Sequence, residues 1–330
     1  MNYFLQLKNI LFSFGIFTLF ISCNNKKSEN SIHSLLVYKK GALIEEQYLN
    51  GRVNTDIDNV QSITKTIITM LVDIAITNGD LSSDQVSVLD FFPELGIPAD
   101  DRKHRITIRH LLDHTSGLAW DGYVEHEAFL TSERCARYVL GKDLQDEPGS
   151  VYNYNSGGTH LLSVILTRST SMSTEAYCKM HLFEPLRISS YQWDGLSDGV
   201  NDGAGFGLSM RPSDLVKIGQ LFIDNGLVAG RQVISKDAIE KMKDPTLKNK
   251  TFWGIRNSSH GYGWYMAKVQ NEQVFYSMGY GGQFIFIVPA HDLVLVATHN
   301  HDTPHGIDQQ IDFLSATFPK LIKEYTSSSY

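Results

Sequence analysis

Cysteine is scarce in this chain, three residues in 330, which excludes a scaffold stapled by disulfides. Cys135 and Cys178 could pair in an oxidising compartment, but two cysteines so far apart in sequence do not predict a bridge. Excess positive charge is also missing. The formal net charge is −7, and without a basic stripe to neutralise phosphates a nucleic-acid partner is excluded. There is no low-complexity tract and no internal repeat. Metal-ligand spacing is nearly absent too. The run His299-Asn300-His301-Asp302-Thr303-Pro304-His305 stands without a second ligand cluster, so it reads as a solvated loop, and neither metal nor cofactor is expected.

No apolar run reaches the roughly 20 residues that span a bilayer comfortably. The run from Asn9 to Ile21, preceded by Lys8, has instead the layout of a secretory leader. Its end, Phe20-Ile21-Ser22-Cys23, resembles a bacterial lipobox with Phe20 where leucine is usual. That reading makes 1–22 a lipoprotein signal peptide, Cys23 the lipidated residue and 23–31 a polar tether. The expected location is the bacterial cell envelope, lipid-anchored and facing the periplasm or the cell exterior. An ordinary signal peptide with a coincidental cysteine is the alternative. Either way 32–330 remains, enough for one large domain or two interleaved ones.

Within it, Leu35–Tyr38 and Ala42–Tyr48 flank Lys39-Lys40-Gly41 as a β-hairpin. Ser62 to Asn78 is apolar on more than one face, which predicts a central helix closed by Gly79. From Asp80 to Val200 the pattern is helices and long loops. Val274–Met278, Gln283–Val288 and Leu293–Thr298 read as strands, and a closing helix is expected from Gly306 to Ile322. Strands at both ends with helices between predict an α+β fold. An antiparallel sheet from about 32–79 and 201–330 would be flanked by helices and joined to a helical insertion, about 80–200.

Ser62-Ile63-Thr64-Lys65 opens the central helix. Residues three apart share a helix face, so Lys65 can reach the Ser62 hydroxyl, and a serine needs such a neighbour to become a nucleophile. The tetrad alone carries little weight, since about one chance match is expected in a chain of this composition. A second proton carrier would fit in Pro148-Gly149-Ser150-Val151-Tyr152-Asn153-Tyr154-Asn155-Ser156-Gly157-Gly158. Tyr154 and Tyr152 both qualify, against a plain turn with two packed tyrosines.

These segments occur in order with Ile106-Thr107-Ile108-Arg109-His110-Leu111-Leu112-Asp113-His114-Thr115-Ser116-Gly117-Leu118 and with Gly207-Leu208-Ser209-Met210-Arg211-Pro212. Together they resemble the serine β-lactamase-related family: class C β-lactamases, D-Ala-D-Ala carboxypeptidases, related esterases and nylon-oligomer hydrolases. The resemblance runs from about Ser34 to the C-terminus. It implies that Ser62 is the nucleophile, that Lys65 helps remove its proton, and that Tyr154 is the shuttle, with Tyr152 packing beneath. It also implies an oxyanion hole from the backbone N–H groups of Ser62 and Tyr280, with Gly281 as the alternative donor and a further contact to substrate.

Two departures narrow the reading. Ser156 stands where the family usually has asparagine in Tyr-x-Asn, a variant similar to the nylon-oligomer hydrolases, and it lacks the amide's paired donors. Lys-Thr-Gly and His-Thr-Gly are both missing. Gly279-Tyr280-Gly281-Gly282-Gln283 stands in their place without a cation to grip a carboxylate. Trp120 is a candidate for lining the pocket, with core packing as its alternative. The expected function is a serine hydrolase acting through an acyl-enzyme on a small-molecule or peptide-like substrate with an ester or amide bond. The alternatives are a non-turnover penicillin-binding module, a true β-lactamase and a D-Ala-D-Ala carboxypeptidase.

Overall fold

A computed structural model describes residues 31–96, 100–122, 124–245, 247–248 and 254–327. The leader and Cys23 lie outside the described residues. Among the described residues, eight antiparallel strands form the main sheet. They are β1 (Ile32–Lys39), β2 (Ala42–Tyr48), β3 (Leu247–Lys248), β4 (Ser259–Gly261), β5 (Trp264–Val269), β6 (Glu272–Gly279), β7 (Gln283–Val288) and β8 (Leu293–His299). Their order is β2-β1-β8-β7-β6-β5-β4-β3. Strands from the two halves of the chain meet in the middle, with Leu36 opposite Val296 and Val37 opposite Leu295. The β1–β2 turn places Lys40 and Gly41 at φ 51° and 81°, matching the twist of a tight hairpin.

Helices cover both faces of this sheet. Leu36, Phe275, Ile285 and Val296 join the core around α1 (Ile63–Asn78). Their neighbours Leu35, Phe284, Phe286 and Leu295 pack with Phe313, Phe318 and Ile322 on the other side. Each strand therefore sends alternate residues into two dry cores. That accounts for β7 and β8 being buried at every position and reading as continuous apolar runs instead of alternating ones. The closing helical stretch runs from Gly306 to Ser327 in three segments, five residues beyond the expected end at Ile322.

α1 is buried from Ile63 to Ala75, so its polar side chains need partners. Thr66 Oγ1 lies 2.7 Å from Ser277 Oγ on β6, and Thr69 Oγ1 donates to the Lys65 carbonyl at 2.9 Å. The helix ends at Gly79 in the left-handed conformation, φ 83°. α2 (Ser156–Thr170) packs beside it. The stretch expected to be helical also supplies a strand, Tyr191–Trp193, which pairs with Leu208–Met210. That strand pairs in turn with Asp58–Asn59. Three residues are too few for a period-2 pattern, so sequence periodicity passes over this small sheet.

The small sheet holds the approach to Ser62, and Asp58 ties it to the main sheet. Its buried carboxylate accepts from His33 Nδ1 at 2.8 Å, Arg52 Nη2 at 2.8 Å and Thr298 Oγ1 at 2.7 Å. Burial pushes the Asp58 pKa up, but the bonds from His33 and Thr298 and the Arg52 charge outweigh it and hold the group below its ordinary value. Asp58→Ala should cost about 3 kcal/mol, as for other broken buried ion pairs. A depressed folded pKa gives stability that is complete above the unfolded value near 4 and is lost as pH falls through the folded one. Urea melts should therefore show a gap between wild type and variant at pH 6 that narrows at pH 3. An unchanged gap would refute this role.

Candidate active site

Ser62 occupies the N-cap position of α1 at φ −66°, ψ −4°, and its side chain makes no capping bond. The hydroxyl is thus left to face outward. Gln61 before it is left-handed at φ 51°, an uncommon state for a residue with a side chain. Asn59 stabilises that turn by accepting from the Gln61 backbone N–H and from its Nε2, both at 2.9 Å. One helical turn on, Lys65 is buried and donates from Nζ to Ser62 Oγ at 2.9 Å. The same Nζ donates to the Ala204 carbonyl. Ser62 opens onto a cavity of ≈ 650 Å³ whose walls include Tyr154, Ser156, Phe206 and Tyr280.

Lys65 Nζ stands 5.0 Å from the centroid of the Tyr154 ring. Behind that ring lies His114, with centroids 4.6 Å apart. His114 Nδ1 accepts the Asn155 N–H at 3.2 Å, so its proton sits on Nε2. Burial, with His260 and Lys65 close by, holds the His114 pKa well below its ordinary value, and the ring backs Tyr154 without charge. Asn155 caps α2 by accepting the Gly158 N–H at 2.8 Å. In Tyr154-Asn155-Ser156 the middle residue therefore builds the helix while the outer two face the cavity. Tyr152 is set behind them, its hydroxyl 3.4 Å from that of Tyr265, and burial pushes its pKa up.

The β6–β7 turn completes the wall. A methyl on Gly279 would come within 2.7 Å of Gln61 Cβ, so the end of β6 lies directly on the residues before Ser62. Tyr280 follows and faces the cavity. Gly281 packs against His301, and its carbonyl accepts from Gln309 Nε2 at 2.6 Å. Trp120 departs from its expected place. Its ring is buried edge-on to Phe129 at 5.5 Å and against Gly157, where a methyl would come within 2.6 Å of it. The histidine run divides as well. His299 is buried, Nδ1 donating to the Gly282 carbonyl at 2.6 Å, and burial lowers its pKa to about 4. His301 and Asp302 border the cavity. The thiols of Cys135 and Cys178 are free and buried.

Sequence reasoning passed over the loop Asp202-Gly203-Ala204-Gly205-Phe206-Gly207. Gly205, at φ 105°, lies so close that a methyl there would come within 2.9 Å of both Lys65 Nζ and Ser62 Cα. An aspartate followed by alternating glycines is the available signal, because such a loop can wrap backbone N–H groups around a carboxylate.

An antiparallel sheet, a helical insertion and a serine–lysine pair at their junction define the β-lactamase and penicillin-binding-protein fold class. The Beta-lactamase family model matches residues 34–316, and the chain belongs to that family, a family of hydrolases related to the serine hydrolases. It is similar to an uncharacterised protein of Alkalihalophilus pseudofirmus, 23% identical over 288 residues, 77% of each chain. Among solved structures it is similar to a candidate 6-aminohexanoate-dimer hydrolase from Bacillus anthracis. The TM-score is 0.72 at 20% identity, over 90% of this chain and 81% of the other. A class C β-lactamase from Rhodobacter sphaeroides gives a TM-score of 0.64 at 15% identity, over 86% and 93%. At these identities the structural likeness is one of fold.

Gly205→Ala should lower hydrolysis by about 10²-fold, the scale of a 1 Å misplacement at a reacting group. Gly230→Ala is the control, since Gly230 also has positive φ, 82°, but nothing within 4 Å. Steady-state rates for both variants check this, and equal rates would sink it.

Proposed function

We propose that the protein is a serine hydrolase cleaving an ester or amide through an acyl-enzyme on Ser62. The observation that carries the reading is the 2.9 Å bond between Lys65 Nζ and Ser62 Oγ at the edge of the cavity. Ser62 Oγ attacks the substrate carbonyl carbon. Its proton passes by way of Lys65 and Tyr154 to the leaving oxygen or nitrogen as that bond breaks. The developing oxyanion meets the N–H groups of Ser62 and Tyr280. Water then adds to the acyl carbon, and Ser62 recovers its proton.

The described cavity walls favour an ester or amide without a carboxylate next to the scissile bond. Apart from Lys65 behind Ser62, no lysine or arginine is among the described residues at the cavity. On β6 the two residues before Gly279 are Ser277, bonded to Thr66, and Met278, which offers only a thioether to the cavity. Ser156, at the start of α2, supplies one hydroxyl where an amide would supply two donors.

Ser62→Ala should lose at least about 10³-fold in kcat toward a chromogenic short-chain ester, and Tyr154→Phe about 10²-fold. A chromogenic β-lactam should turn over more slowly than the ester. Equal ester hydrolysis by wild type and Ser62→Ala would falsify the mechanism.

We place the enzyme at the cell envelope through a lipid on Cys23, on the strength of the leader and the polar tether. Wild type grown with a radioactive fatty acid should carry label that Cys23→Ala lacks. Label persisting in the variant, or missing from wild type, argues against the anchor.

A further inference from the structure

Two buried ionisable groups that the acyl-transfer chemistry does not use converge on the loop whose Ala204 carbonyl meets Lys65. Asp202 is fully buried. Its carboxylate accepts the backbone N–H of Ala204 at 2.6 Å, of Gly205 at 3.1 Å and of Gly207 at 2.7 Å, together with that of Phe206. Four donors gathered on one side chain fix the course of the loop. They leave the Ala204 carbonyl directed at Lys65 Nζ.

His160, on α2, is fully buried as well. Its Nδ1 accepts the Gly203 N–H at 3.3 Å, which sets the proton on Nε2, and Nε2 meets Asp198 Oδ2 at 3.0 Å. Gly203 lies flush on α2, since a methyl there would come within 2.9 Å of the Thr159 carbonyl oxygen. Cys135, His160 and Asp198 bring their ligand atoms within 4.8 Å of one another, yet hydrogen bonds account for the trio. A cation at His160 Nε2 would move the ring proton to Nδ1, facing the Gly203 N–H. The Cys135 thiol donates to the Ser132 carbonyl at 3.1 Å, and burial beside Asp198 pushes its pKa up to about 12.

We propose that Asp202 and the Asp198–His160 pair are positioning residues for Lys65. They hold the loop that presents the Ala204 carbonyl, and that carbonyl keeps Nζ within reach of Ser62 Oγ. The proposal rests on the Ser62 acyl-enzyme reading. A lysine side chain has four rotatable bonds and several open rotamers. With only the serine to bind it would be free to swing, and the second acceptor removes that freedom. The same loop puts Phe206 into the cavity wall, its ring 4.2 Å from that of His126, so one backbone segment sets both the lysine and part of the substrate space.

The test is the rate at which a fluorophosphonate labels Ser62 across pH, with Ser62→Ala as blank and ester kcat and KM alongside. Asp202→Asn keeps the side-chain shape but turns an NH2 toward N–H groups that now meet oxygen. It should label about 10- to 100-fold more slowly, with a displaced pH profile, and ester KM should rise as well if Phe206 moves with the loop. His160→Asn retains an acceptor near the Nδ1 position and should label faster than His160→Gln, whose amide lies out at the Nε2 position toward Asp198 and leaves the Gly203 N–H without its acceptor. Rates are taken per folded molecule from thermal melts, so the His160 pair decides the matter if Asp202→Asn does not fold. Asp202→Asn labelling within twofold of wild type with an unmoved pH profile overturns the proposal, as does His160→Gln matching His160→Asn. Wild-type protein that Ser62-directed reagent does not label overturns the acyl-enzyme reading itself.

Discussion

A lysine amine held between one hydroxyl and one carbonyl is the constraint on which this molecule is organised. Lys65 is buried with its Nζ bonded to Ser62 Oγ and to the Ala204 carbonyl. A buried amine without hydrogen-bond partners is costly, so both acceptors have to be delivered accurately. Ser62 arrives on the first turn of a helix buried almost all round. Ala204 arrives on a loop drawn tight around Asp202. The left-handed Gln61, the close-lying Gly205 and the absence of a side chain at Gly279 are three local concessions to bringing those segments within contact of one another.

The sheet explains how segments so distant in sequence meet reproducibly. β1 from the start of the domain lies between its hairpin partner and β8 from the end. α1 lies against β6 through the Thr66–Ser277 bond. Strands buried on both faces specify register strongly, because a one-residue slip would exchange the two cores. The Gly279 end of β6 is therefore held in fixed register over the residues before Ser62. A site assembled from a helix start, a strand end and a loop depends on that rigidity more than on any contact within the cavity.

Much of this was legible in the sequence, and what was not has physical reasons. The hairpin, α1 with its Gly79 cap, and the three late strands follow from apolar patterning, because burial and periodicity are the same fact seen twice. The Ser62–Lys65 pairing follows from helical spacing alone. Tyr154 was preferred to Tyr152 through the family resemblance, and the physical distinction is that Asn155 starts α2 and points its two neighbours the same way. Trp120 takes its packing alternative, because proximity in sequence to a motif does not say which way a side chain faces. The Asp202 loop was missed because its role lies in backbone N–H groups, which every residue but proline carries, so its trace in the sequence is limited to the spacing of glycines after the aspartate.

The departures from the family's motifs belong together. On β6 Ser277 is committed to Thr66, Met278 faces the cavity, and a glycine-rich turn replaces the usual cation. At α2 Ser156 replaces an amide. Each change removes an attachment for a charged or doubly hydrogen-bonding substrate, and none touches the Ser62–Lys65–Ala204 arrangement. In the proposed reading the reaction chemistry rests on groups tied into the fold, Lys65 above all, which is buried and bonded to Ser62 and to the Ala204 carbonyl. Selectivity resides in wall residues, each free to change without moving its neighbours. A chain in which the first set is intact and the second altered fits the proposed reading of a hydrolase that keeps its chemistry and differs in its substrate.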